Sequence, residues 1–266
     1  MSTARATALV TGASAGIGRE LARLFAADRF DLVLVARRKD RLEELAHELR
    51  MKNGAEVRVL PKDLADPGAP KEICDQLAGD GVKVDVVVNN AGFGLGGKVA
   101  DLPLEGQIRM VQVNVVALTY LTRALLPAMI RRRFGGVLNV GSTAAFQPGP
   151  NMAVYFATKA FVLSFTEALT EELRGTGVQA TCLAPGPTLT EFGSVSGTQN
   201  TWLFRRGAMD AVTVARIGYQ GFRQGRTLVV PGLHNKLIPL AVRLGPRSLV
   251  RKISGLLTSD RSRPGA

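Results

Sequence analysis

The chain has 266 residues, 46% of them apolar, enough for one sizeable buried core, so a single domain spanning 1–266 is expected. Its two cysteines, Cys74 and Cys182, and its two histidines, His47 and His234, lack the short spacings of redox pairs or metal ligands, so reduced packing cysteines and no metal are expected. The formal net charge of +12 is uneven: from residue 204 onward, 12 Lys and Arg face 2 acidic residues, leaving only +2 for residues 1–203.

Short β-branched runs alternate along the chain with longer amphipathic segments, the pattern of a parallel sheet covered on both faces by helices. The runs at 6–10, 31–36, 56–60, 84–89, 136–141 and 178–183 predict six strands, and 227–230 predicts a seventh. Helical spacing marks 16–28, 38–53, 67–79, 104–133 and 153–174, two of which end at Asn53-Gly54 and Gly175-Thr176-Gly177. Residues 184–226 contain Pro185, Pro187 and a Gly/Ser/Thr-rich stretch, and 189–210 is expected to form a lid. The apolar start at 6–10 is too short for a secretory signal, and about 18 consecutive apolar residues without a charge or helix breaker never occur. A cytoplasmic protein is therefore expected.

Directly after the first strand comes Thr11-Gly12-Ala13-Ser14-Ala15-Gly16-Ile17-Gly18, followed by a helix. Glycines there let the backbone turn and approach a pyrophosphate, while the helix N-terminus offers free N–H groups. After the second strand stands Ala36-Arg37-Arg38, where a carboxylate would select an unphosphorylated ribose. Arg37 is read as the partner of a 2′-phosphate, and Arg38 as the solvated start of a helix. This charge logic favours NADP(H) over NAD(H). Asp63-Leu64 follows the third strand and Asn89-Asn90-Ala91-Gly92 ends the fourth. Asp63 could equally cap the helix before Pro67.

Tyr155 and Lys159 stand four apart in a helical segment, so they share one face. A neighbouring ammonium favours the phenolate and is expected to lower the tyrosine pKa from its ordinary ~10. Ser142 lies thirteen residues upstream at the end of the fifth strand, and Asn114 sits inside a helical run, a poor place for asparagine. A local cap for Ser142 and a local backbone bond for Asn114 are the simpler alternatives.

In order and approximate spacing, these motifs resemble the short-chain dehydrogenase/reductase family over residues 5 to about 190. The resemblance implies a Rossmann-type α/β fold, a doubly wound parallel sheet of about seven strands. It implies hydride transfer between a nicotinamide and a carbonyl or alcohol carbon of a small-molecule substrate, a hydrophobic ketone, aldehyde or 3-oxoacyl compound. Tyr155 would then transfer the proton, Ser142 would bond the substrate oxygen, Lys159 would hold the nicotinamide ribose and tune Tyr155, and Asn114 would hold a water leading to solvent. Gly12, Ser14, Gly16, Ile17 and Gly18 would cradle the pyrophosphate, Asp63 and Leu64 would meet the adenine, and Asn90, Ala91 and Gly92 would form the cofactor floor. Pro185-Gly186-Pro187-Thr188 with Thr190 resembles the segment that meets the carboxamide, although Pro187 departs from the commonest form. A homodimer or homotetramer is implied.

Beyond Pro231 the tail, about 233–258, is amphipathic and basic. Its apolar faces are expected to roof the pocket or a subunit contact. The alternative is peripheral contact with an anionic membrane, or reception of an anionic lipid-like or acyl-carrier substrate. A non-catalytic dinucleotide sensor or scaffold is the second functional class, and no nucleic acid partner is expected at 6% aromatic content without a recognisable module.

Overall fold

The computed structural model describes residues 5–197 and 208–258. Its first half runs β1 (Thr7–Thr11), α1 (Gly16–Ala27), β2 (Asp31–Ala36), α2 (Lys39–Asn53), β3 (Val57–Pro61), α3 (Ala69–Gly79) and β4 (Val86–Asn89). Then α4 (Leu104–Val111) passes through a π-helical turn, Gln112–Ala117, into α5 (Leu118–Arg132), followed by β5 (Gly135–Val140) and a 3-10 turn, Thr143–Phe146. The second half holds α6 (Ala153–Glu172), β6 (Val178–Leu183), β7 (Thr188–Leu189), α7 (Phe192–Ser196) and β8 (Met209–Asp210). It closes with α8 (Ala211–Arg223), β9 (Leu228–Val229), α9 (Leu233–Leu244) and α10 (Arg247–Thr258).

Seven parallel strands form one sheet in the order β3-β2-β1-β4-β5-β6-β9, while β7 and β8 pair separately. The strands are apolar on both faces because helices cover both. Ala8, Val10, Leu32, Leu34, Val86 and Val88 point into a core shared with α1, α2 and α8. Leu9, Val33, Val35 and Val87 point into the opposite core, with α3 and α5. The strand order reverses between β1 and β4, so their carboxyl ends open a crevice at the switch point.

The expected Rossmann-type single domain is present, with strand ends shifted by one or two residues. The short elements β7, α7 and β8 and one long helix, α8, are not among the expected ones. Residues 211–223 form α8, capped by Asp210, whose Oδ1 accepts from the Thr213 N–H at 2.7 Å. Phe25 of α1 meets Tyr219 and Phe222 of α8 with ring centroids 4.8 and 6.0 Å apart, and Tyr219 donates to Asp28 at 2.6 Å. The segment after β6 is therefore partly scaffold. Residues 198–207 of the expected lid lie outside the described residues.

The run Leu104–Arg132 is long and apolar enough on average to cross a membrane, a property the strict count of consecutive apolar residues did not register. Met110, Leu118, Leu121 and Met129 on it are buried in the domain, while Leu104, Ile108, Val116 and Tyr120 are exposed.

Phe25 is fully buried where α1, α8 and Phe30 converge. Phe25→Ala is expected to destabilise the fold by about 3–5 kcal/mol, read from urea unfolding. A loss under about 1 kcal/mol would mean that α8 is not part of the cooperative core.

Candidate active site

The glycine loop is clasped from below. Thr11 Oγ1 accepts from the N–H groups of Asn90 and Ala91, both at 3.0 Å, and donates to Val88 O at 3.1 Å, tying the end of β1 to that of β4. The Asn90 amide donates to Thr11 O at 2.9 Å and Gly12 O at 3.2 Å. Gly12 has φ +65°, and a Cβ there would fall 2.7 Å from Asn90 Nδ2. A side chain at Gly18 would collide with the same amide and with the Gly12 carbonyl. Gly18 thus serves helix-to-loop packing and, unlike Gly12 and Gly16, does not line the cavity.

One cavity of about 650 Å³ crosses the crevice. Gly12, Ser14, Gly16, Ile17, Arg37, Asp63, Leu64, Asn90, Ala91 and Gly92 line it along the first half of the sheet. Ser142, Tyr155, Lys159, Pro185, Gly186, Thr188 and Thr190 line it along the second. Asp63 Oδ1 accepts from the Ala65 N–H at 3.0 Å in a local turn, and Oδ2 pairs with Arg109 at 2.9 Å; it does not cap a helix, since α3 starts at Ala69 after Gly68 without a side-chain cap. Thr188 donates to Gly186 O at 3.0 Å, and Thr190 packs over Gly16.

Arg38 was misread. It lines the cavity half-buried, donating to Ser14 Oγ at 3.3 Å and to both oxygens of Glu191 at 2.7 and 3.2 Å. Local sequence does not signal this pairing, because Glu191 is 153 residues away. Arg37 lines the same end and is more exposed.

At the other end, Tyr155 and Lys159 are both buried, with the ammonium 5.8 Å from the ring centroid. Lys159 Nζ donates to Val140 O at 2.8 Å. Burial pushes the phenol up to about 12, against a smaller downward pull from its hydrogen bond with Ser142. This differs from the expectation that Lys159 makes the phenol acidic: desolvation sets the direction, and the one downward pull comes from Ser142. Burial likewise lowers Lys159 to about 8. At pH 7 the pair is a neutral phenol beside a cation. Ser142 Oγ also accepts from the Ala144 N–H at 3.1 Å, so the capping alternative holds alongside the contact with Tyr155.

Asn114 does not line the cavity. The π-helical turn carries it inward, where its amide donates to Phe93 O and Thr158 Oγ1, both at 3.0 Å, and accepts from the Phe93 N–H at 3.1 Å. Thr158 Oγ1 in turn donates to Tyr155 O at 2.7 Å. Asn114 therefore fastens the loop after β4 to the turn that carries Tyr155. Gly92 makes room, since a Cβ there would lie 3.0 Å from Asn114 Oδ1 and 3.4 Å from Lys159 Nζ.

Phe93, Met152, Phe156 and Phe192 form apolar walls beside Tyr155, and the Phe192 ring centroid lies 5.3 Å from that of Tyr155. Ser254, Leu257 and Thr258 of α10 complete the lining, with Thr258 donating to Pro150 O at 2.6 Å. The sequence did not identify these wall residues; only the fold brings them together.

The fold and crevice define a Rossmann-type dinucleotide-binding protein with a tyrosine and a lysine buried side by side at one end of the crevice. The family model for short chain dehydrogenases matches residues 6–200, and the chain belongs to the short-chain dehydrogenase/reductase family of oxidoreductases. It is 38% identical over 197 residues to a short chain dehydrogenase of Pseudocercospora fijiensis, a match covering 73% of this chain but 63% of that protein. It is also 38% identical over 179 residues to the NADP-dependent 3-hydroxy acid dehydrogenase YdfG of Escherichia coli O157:H7, covering 67% of this chain and 71% of the relative. The solved short-chain dehydrogenase from Sphingobium yanoikuyae in complex with NADPH superposes with a TM-score of 0.82 at 34% identity, covering 90% of this chain and 92% of that one.

The lowered Lys159 pKa has a stability consequence. The folded chain binds fewer protons than the unfolded one between about 8 and 10.5, so this residue's destabilisation is fully present below pH 8 and relieved as pH rises through that window. Lys159→Met is expected to raise the melting temperature at pH 7, and by less at pH 10. An increment independent of pH would show that the charge carries no folding cost.

Proposed function

We propose that the protein binds NADP(H) and reduces a hydrophobic ketone, aldehyde or 3-oxoacyl substrate, acting in the cytoplasm as a homodimer or homotetramer. One observation carries this reading: a single cavity joins the arginine pair after β2, the glycine loop and the Tyr155 phenol, and ends against aromatic walls. The residues fit the cofactor. Positive φ at Gly12 and Gly16 opens backbone to a pyrophosphate, the α1 N-terminus adds its dipole, and Arg37 and Arg38 offer guanidinium groups to a 2′-phosphate. The NADPH complex of the Sphingobium relative and the NADP dependence in the name of the Escherichia relative support the same choice.

The bound cofactor supplies the hydride. Tyr155, protonated at neutral pH, donates to the substrate oxygen, and Ser142 hydrogen-bonds that oxygen as charge develops. The adjacent Lys159 cation stabilises the phenolate left behind, and it would hold the ribose hydroxyls of the bound cofactor. Asn114 acts by positioning, through Thr158 and Phe93. Phe93, Met152, Phe156 and Phe192 exclude water and favour apolar substrates. The exposed Leu104, Ile108, Val116 and Tyr120 suit a subunit contact. A non-catalytic sensor would have no use for a phenol and an ammonium buried together against an apolar pocket.

Tyr155→Phe is expected to lower kcat for ketone reduction by at least about 100-fold while leaving the dissociation constant for NADPH within about twofold. An active Phe variant would remove Tyr155 as the proton donor. NADPH consumption against ketones, aldehydes and 3-oxoacyl thioesters identifies the substrate class, and no turnover across all three would overturn the reading.

The Glu191 carboxylate engages Arg38 beside the glycine loop. Glu191→Gln is expected to tighten NADPH binding several-fold and leave NADH unchanged, measured by nucleotide fluorescence titration. Equal gains for both nucleotides would detach Arg38 from the 2′-phosphate. Arg37→Asp should weaken NADPH selectively, and unaltered NADPH affinity would remove Arg37 from the phosphate site.

A further inference from the structure

α9 is inverted relative to an ordinary surface helix. Asn235, Ile238 and Val242 are half-buried against the domain, with Asn235 donating to Pro231 O at 2.7 Å and filling the space beside Gly186. Leu233, Leu237, Leu240 and Leu244 face outward, 57 to 78% exposed, and no residue of the helix is fully buried. At about 100° per residue, the four leucines occupy an arc of about 60°. α10 repeats the arrangement. Ser254 is buried at the cavity and Leu257 lines it, while Leu249, Ile253 and Leu256 are 48 to 75% exposed. Seven large apolar side chains on two consecutive helices thus stand in water, a pattern that marks an interaction site.

The charge around them selects the partner. Residues 233–258 contain Lys236, Arg243, Arg247, Arg251 and Lys252 and no acidic residue. All five cations are exposed. A second copy placed face to face would set like charges against one another. A nucleic acid would meet the cations but offer no apolar phase for the leucines. A bilayer with anionic headgroups meets both requirements. Each helix has 12 residues, about 18 Å, too short for a hydrocarbon core of about 30 Å, so the pair would lie in the interface plane.

We propose that α9 and α10 are a docking surface for an anionic phospholipid bilayer, which holds the part of the cavity lined by Ser254, Leu257 and Thr258 close to the lipid. This deepens the reading of an apolar substrate, because such a compound partitions into the same phase. The surface itself rests on the exposed leucines and the charge, not on the chemistry.

The test is cosedimentation of the full-length protein with vesicles of phosphatidylcholine alone and of phosphatidylcholine with phosphatidylglycerol, with thermal melts to verify that each variant folds. Wild type should pellet with the anionic vesicles, stay in solution with the neutral ones, and be released by high salt. Leu237→Ser with Leu240→Ser should weaken binding. Arg247→Gln, Arg251→Gln and Lys252→Gln together should weaken it by at least about tenfold, since each basic side chain near an anionic surface contributes several-fold. Wild type that ignores anionic vesicles, binds neutral ones equally, or binds unchanged in both folded variants overturns the proposal. Failure to bind vesicles, accompanied by loss of a solution dimer in the leucine variant or by tight binding of duplex DNA, would assign the surface to a second copy or to nucleic acid instead. Binding is read without turnover, so failure here and failure of the oxidoreductase reading are separable.

Discussion

The site depends on a cost: an ammonium and a phenol are both held out of water, and the fold is arranged to tolerate it. Lys159 has the Val140 carbonyl and the face of the Tyr155 ring as neighbours. Burial lowers the ammonium to about 8 and raises the phenol to about 12, so at neutral pH one remains charged and the other protonated. That division suits a proton donor backed by a fixed cation. A lysine one helical turn away does not by itself acidify the phenol, whose shift is set by desolvation and eased only by Ser142.

Holding such a pair in place takes bracing from several elements. Asn114, delivered by the π-helical turn, reaches Phe93 on one side and Thr158 on the other, and Thr158 holds the Tyr155 carbonyl. Deeper in the sheet, the Asn89 amide donates to Thr122 and Asn139, and Asn139 donates to Thr166, joining β4, β5, α5 and α6 through buried side chains. Thr11 and Asn90 do the same beneath the glycine loop. The polar residues at the carboxyl edge of the sheet therefore fix backbone geometry as much as they meet ligands.

The tail divides into two roles. α10 turns Ser254, Leu257 and Thr258 toward the cavity, so the roofing expectation holds for one face of it. α9 turns its leucines outward and gives the domain Asn235, Ile238, Pro239 and Val242. A helical-periodicity reading locates the apolar stripe but cannot say which way it faces.

The alternation of apolar runs and helical segments, the glycine loop at 12–18 and the Tyr155–Lys159 spacing were legible in the chain because local periodicity and steric demands are written in consecutive residues. α8 was also legible in principle, through Asp210 and the apolar spacing of Val214, Ala215, Tyr219 and Phe222, but the prolines and glycines before it drew the segment into a loop. What the sequence alone determined is the fold class and the ordered set of polar groups at the strand ends. Only the tertiary structure decided that Arg38 meets Glu191, that Gly18 packs against Asn90, that Asn114 braces the loop after β4 and that the leucines of α9 face water. Those outcomes depend on side chains far apart in the chain meeting in space, and on how much water each one loses when they do.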